Sequence, residues 1–144
     1  MNTDDLILSE AIRLVGDGVA VTFPVKGVSM LPFIVGGLDK VILERPEGYR
    51  RGSVVLAKTD GGFFVIHRIV AIDGNRVTLM GDGNLLKREY CDVGDIKAKV
   101  IYVVGADGKK RSLESFCRRL AAKLWYILLP FRRYFLWLYK KVIL

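Results

Sequence analysis

Phe63-Phe64-Val65-Ile66-His67-Arg68-Ile69-Val70-Ala71-Ile72-Asp73-Gly74-Asn75-Arg76-Val77-Thr78-Leu79-Met80 decides the fold. Two runs rich in β-branched and aromatic residues flank Asp73-Gly74-Asn75. Such side chains suit a pleated, half-buried surface, and Asp-Gly between two of these runs is a hairpin signal. Upstream, Ser53-Val54-Val55-Leu56-Ala57-Lys58 reads as a strand that turns through Asp60-Gly61-Gly62 into the His67 run. Asp39 to Glu44 is a further strand, broken by Pro46-Glu47-Gly48, and Val19 to Val25 alternates apolar residues ahead of it. Downstream, Ile96 to Val104 carries six β-branched or aromatic residues. Strands and helices do not alternate, which argues against a parallel α/β sheet. Residues 19–108 are therefore expected to form a compact, mostly antiparallel β domain, coiled or partly closed.

Two helical segments flank this domain. Residues 4–15 predict a short helix capped by Thr3, with Asp4 and Asp5 at the positive end of its dipole and Gly16 and Gly18 past its end. Leu6, Ile7, Ala11, Leu14 and Val15 are expected to share its packing face. The two early acids, with Glu10 and Arg13, argue against a secretory h-region. The expected division is residues 1–18, 19–108 and 109–144.

Candidate chemistry begins at Gly27-Val28-Ser29-Met30-Leu31-Pro32, where the apolar run ends and the chain must bend. A hydroxyl there can be held rigid and exposed, although serine at a strand end commonly only caps a turn. Thirty-eight residues later stands His67, the only histidine in the chain. Serine needs a base to take its proton, and imidazole titrates near neutrality. A lone histidine in an apolar strand can equally be a core residue.

Together with Gly81-Asp82-Gly83-Asn84, the segments around Ser29 and His67 resemble three ordered motifs of the signal peptidase I family and of the related self-cleaving repressors. The likeness spans roughly residues 19–104. His67-Arg68 is similar to the histidine-type members, where the bacterial enzymes and the repressors carry lysine. The resemblance implies a coiled β fold and a serine endopeptidase with Ser29 as nucleophile and His67 as general base. It calls for no cofactor and no metal. In histidine-type members an aspartate pair a few residues past the third motif orients the base. Here Lys87-Arg88-Glu89 stands at that place, so Glu89 is the nearest acid and Asp82 the next choice. Gly-Asp-Gly-Asn is also ordinary turn chemistry, so Asp82 carries both readings. The Ser29 N–H is the natural first donor to a tetrahedral oxyanion, and Gly27 offers no hydroxyl as a second. Met30 either lines a small apolar substrate pocket or packs in the core.

The chain has 144 residues, enough for one domain with a real core. Cys91 and Cys117 form neither a disulfide framework nor a zinc pattern. Net charge is +8, yet residues 109–144 hold ten Lys or Arg and a single acid, Glu114, while residues 1–108 carry thirteen basic and fourteen acidic side chains. A basic tail on a near-neutral body suggests attachment rather than nucleic-acid binding.

In that tail Ser112 can cap a helix running to about Leu129. Leu113, Phe116, Leu120, Ala121, Leu124 and Ile127 would share one face and Arg118 and Arg119 the other. Pro130 should break the helix. Phe131, Phe135, Leu138 and Val142 repeat the spacing beyond it, with Arg132, Arg133, Lys140 and Lys141 off the stripe. Leu124 to Phe131, eight residues without a charge, is too short to span a bilayer. A cationic, aromatic and amphipathic segment suits the membrane interface. Residues 112–144 are thus expected to bind a membrane surface, on its cytoplasmic face, or else to pack on protein. The partners expected are a peptide or protein substrate and that surface; oligomeric state is left open. The competing function is a catalytically silent module that binds an extended peptide along a strand edge.

Overall fold

The computed structural model describes residues 3–27, 29–31, 33–83, 86–113 and 116–143, with only the backbone at 116–119, 129 and 143. Val28, Pro32, Asn84, Glu114 and the side chains of Phe116, Cys117, Arg118 and Arg119 lie outside the described residues.

The chain is mainly β, an antiparallel half-barrel with one helix before it and two after it. α1 (Thr3–Gly16) leads into β1 (Val21–Pro24) and β2 (Lys40–Glu44). Then follow β3 (Val54–Lys58), β4 (Phe64–Asp73), β5 (Arg76–Met80), β6 (Glu89–Asp92), β7 (Ile96–Val104) and β8 (Lys110–Ser112). The sheet order is β1-β2-β7-β3-β4-β5-β6, with β8 paired to β7 off this path. The β4–β5 hairpin has the expected register, Asp73 facing Arg76 and Arg68 facing Met80.

Period-two alternation along β3 and β4 sends successive side chains to two separate cores. One contains Val15, Met30, Ile34, Val41, Leu43, Val54, Leu56 and Val100. The other contains Val55, Ala57, Ile69, Val77, Leu79, Cys91 and Ile96. Cys91 is a free, buried thiol, and burial pushes its pKa up.

Two expectations need correction. In α1 the buried residues are Ala11 and Val15, with Leu8 and Ile12 packed beside the core, whereas Leu6 and Ile7 are exposed. The face is therefore 8, 11, 12 and 15, because the sheet meets the helix one step round from the stripe that hydropathy suggested. Ser112 is the last residue of β8, paired with Tyr102, and α2 is described only from Phe116. β7 is long enough to pair β3 through Ile96–Val100 and still take β8 at Tyr102–Val104, so the sheet extends beyond residue 108. The apolar stripe of the tail points outward. α2 (Phe116–Ile127) and α3 (Arg132–Ile143) flank a 3-10 turn at Leu129–Phe131, the break expected at Pro130. Leu120, Leu124 and Ile127 are exposed, while Ala122, Arg132 and Leu136 are buried.

Candidate active site

Ser29 sits in the long connection between β1 and β2, which is folded back on itself. Gly27 adopts φ +85°, and Gly36 lies so close that a Cβ there would come 2.0 Å from the Gly27 carbonyl oxygen. Only glycine fits at both points. The Gly37 N–H donates to the Val25 carbonyl at 2.8 Å, and the buried Asp39 carboxylate accepts from the Val35 N–H at 2.8 Å. Arg111 of β8 pairs with the same carboxylate at 2.9 Å, tying the start of the tail to the serine connection.

Three segments distant in sequence converge on the turn after β5. The Gly83 N–H donates to the Ser29 carbonyl at 2.7 Å. The Asp82 N–H donates to Met30 Sδ at 3.4 Å. The Asp82 carboxylate accepts both Arg68 Nε and Nη2, at 2.8 and 2.7 Å, a bidentate pair that is almost fully buried. Breaking a buried pair of this kind typically costs about 3–5 kcal/mol, because one charge is left uncompensated. Gly52 provides a further carbonyl for Arg68 Nη1 at 2.8 Å, and the guanidinium stacks over the Phe33 ring.

His67 lies opposite Val55 on the neighbouring strand, so its ring belongs to the second core, whereas Arg68, opposite Val54, faces the first. The ring is buried at 4 % exposure. Its Nδ1 is 3.3 Å from Glu89 Oε2, close but not aligned for a linear hydrogen bond, and neither atom has another hydrogen-bonding partner. Glu89 reaches this spot because it faces Leu79 on β5, which in turn faces Ile69, two residues along from His67. Exposed Lys87 lies 3.7 Å from the other Glu89 oxygen. Burial pushes the His67 pKa below its ordinary 6.5; the Glu89 charge, and more weakly Asp82, pull it back, while Lys87 adds to the lowering. The ring is thus neutral at pH 7. A proton on Nδ1, the nitrogen that faces Glu89, would leave the lone pair on Nε2, as a base requires.

Of the two acids read from sequence, Glu89 is the one beside His67, and Asp82 is occupied by Arg68. Met30 is 3 % exposed and packs in the first core, and it does not line the cavity between β4–β5 and α2. That cavity, about 480 Å³, is lined by Arg51, Arg68, Met80, Asp82, Tyr126 and Arg132 among others. Neither Ser29 nor His67 borders it. No hydrogen bond joins Ser29 Oγ to His67 among the described residues. Among them, too, no group of His, Cys, Asp and Glu is arranged to hold a metal ion.

Sequence reasoning missed two residues here. Trp125 Nε1 donates to the Asp82 carbonyl at 2.7 Å, and Arg132 Nη1 reaches the same oxygen at 3.3 Å. Both were read as part of the interfacial tail. The only hint was Arg132 standing off the apolar stripe, and surface solvation explains that equally well. Scanning the chain against models of known families finds no match, and no curated protein matches it either.

Proposed function

We propose that this chain is a serine endopeptidase of signal-peptidase-like type, with Ser29 as nucleophile, His67 as general base and Glu89 as the acid that orients it. The observation carrying this reading is the convergence of the three motif segments on Asp82-Gly83. Chance turn chemistry gives no reason for the segments around residues 29 and 67 to meet at the turn around residue 82. The supporting electrostatics are a buried, neutral imidazole with a carboxylate at its Nδ1 side. Ser29 Oγ would attack the peptide carbonyl while His67 Nε2 takes its proton. The imidazolium so formed, stabilised by Glu89, would then protonate the leaving amine. β1 is an edge strand ending five residues before Ser29, a suitable rail for an extended substrate. Exposed Leu124, Phe131, Trp137, Leu138 and Val142, interleaved with Lys123, Arg133, Lys140 and Lys141, would bind the chain peripherally to a membrane surface.

The second reading, a silent peptide-binding module on this fold, has one observation in its favour. Met30 and Arg68 face the first core and His67 the second, so the serine must reach round the strand end to meet its base. A serine-reactive phosphonate separates the two. The peptidase reading expects covalent labelling of the wild type that Ser29→Ala abolishes. It also expects His67→Ala to slow peptide cleavage by on the order of 10⁴-fold without unfolding the protein. Equal labelling of wild type and Ser29→Ala, or none in either, leaves the binding module.

A further inference from the structure

The Asp82–Gly83 peptide unit is gripped at both ends. Its carbonyl accepts Trp125 Nε1–H and Arg132 Nη1–H from the C-terminal helices. Its N–H donates to the carbonyl of Ser29. A trans peptide is planar and stiff, with C=O and N–H pointing in opposite directions. Turning the plane to release one partner therefore misaligns the other. Donation to the carbonyl also polarises the unit and strengthens what its N–H can do.

We propose that Trp125 is a positioning residue for Ser29, acting through this single peptide unit, so that docking of α2 sets the backbone of the serine turn. The proposal rests on the peptidase reading for its catalytic consequence, though the mechanical link stands independently. Trp125 suits the task for reasons the structure supplies. Its ring is half-buried and leans on Phe135, with centroids 6.0 Å apart. Arg132, 2 % exposed, stacks its guanidinium 5.4 Å from the Trp125 ring and donates through Nε to the Trp125 carbonyl at 3.2 Å. The indole is thereby braced from α3 while its N–H reaches Asp82. The same turn is tied to the strand that carries His67, because the Asp82 carboxylate holds Arg68 on the opposite face of β4. The tail is then a structural part of the site as well as its attachment.

The test uses the full chain, with Trp125→Phe as the variant, since it deletes the N–H and keeps an aromatic ring. Trp137→Phe, on an exposed α3 tryptophan, is the control. Two readouts are followed: amide exchange at Gly83, and phosphonate labelling of Ser29 resolved into its maximal rate and half-saturating concentration. Losing one hydrogen bond of ordinary strength should speed Gly83 exchange about tenfold. Trp125→Phe should slow the maximal labelling rate by a similar factor and leave the half-saturating concentration unchanged, while Trp137→Phe does neither. In the wild type, the Trp125 indole proton should exchange more slowly than that of Trp137, a comparison that needs no variant to fold. Gly83 exchange unchanged in Trp125→Phe overturns the proposal, as does equally fast indole exchange at both tryptophans. Faster Gly83 exchange with undiminished labelling overturns the effect on Ser29. A wild type that never labels, with Gly83 still responding to Trp125→Phe, sinks the peptidase reading and supports the backbone link.

Discussion

His67 is the residue whose behaviour is most constrained. Its pKa is depressed chiefly by burial, so the folded chain binds a proton less readily than the unfolded one. His67 therefore contributes stability in full above about pH 6.5, the unfolded value, and that contribution is lost as pH falls below it toward the folded pKa. A urea titration of wild type against His67→Gln should find the variant's midpoint less sensitive to pH between about 5 and 6.5. For catalysis the same depression means that kcat/KM should rise through a midpoint below 6.5 and then stay level toward pH 8. Glu89→Gln removes a charge that favours the imidazolium, so the midpoint should move further down as the maximum falls. A profile still climbing above pH 8 would speak for a different base. At this scale the sequence was informative about which residues and uninformative about pairing. Ser29 and His67 stand out through motifs that resemble those of a known family, and that resemblance leaves Glu89 and Asp82 both open as the orienting acid. That Asp82 goes to Arg68 depends on strand alternation turning Arg68 away from His67, a register effect that only the folded sheet displays.

Elements were legible in proportion to their length and periodicity. The β4–β5 hairpin and β7 are long, rich in β-branched residues and bounded by turns, and both lie where the sequence puts them. β6 and β8 span four and three residues, too few for any period to emerge, and Lys110-Arg111-Ser112 has no strand composition at all. β8 exists because β7 outruns β3 and leaves backbone groups at Tyr102–Val104 that need partners. The consequence is measurable. A chain ending after Leu113 keeps β8, the Arg111–Asp39 pair and a core leucine; one ending after Gly108 loses all three. The shorter form should be less stable by about 2–5 kcal/mol, the range for deleting a buried leucine side chain. Denaturant unfolding of the two forms checks this; equal midpoints would mean that β8 contributes nothing.

At the scale of the molecule, charge and apolar surface are segregated together. The body is close to neutral and the tail strongly basic. The tail's large apolar side chains also point outward: Leu124, Ile127, Phe131, Tyr134, Trp137, Leu138 and Val142 are all more than half exposed. No helix among the described residues is long and apolar enough to cross a membrane. If this face enters the headgroup layer, the full chain should sediment with anionic vesicles at low salt. Binding should weaken as salt screens roughly 1 kcal/mol per basic residue near the surface. The form ending after Leu113 should stay in the supernatant. Equal partitioning of the two forms would make the tail a protein-packing element instead. The sequence disclosed the tail's amphipathic character, but not that α2 turns Ala122 and the Trp125 indole to the body, because neither stands on the leucine stripe.

The Asp82-Gly83 turn draws on residues from almost the whole length of the chain, from Ser29 to Arg132. During synthesis the serine, the histidine and the turn itself all emerge before α2 does. A nascent chain at that stage can fold its half-barrel yet still lacks the grip on the Asp82 carbonyl. On the proposed peptidase reading, the arrangement would serve as a timer: a hydrolytic centre left loose on the ribosome and tightened only once residue 132 has been added and the last helices have docked.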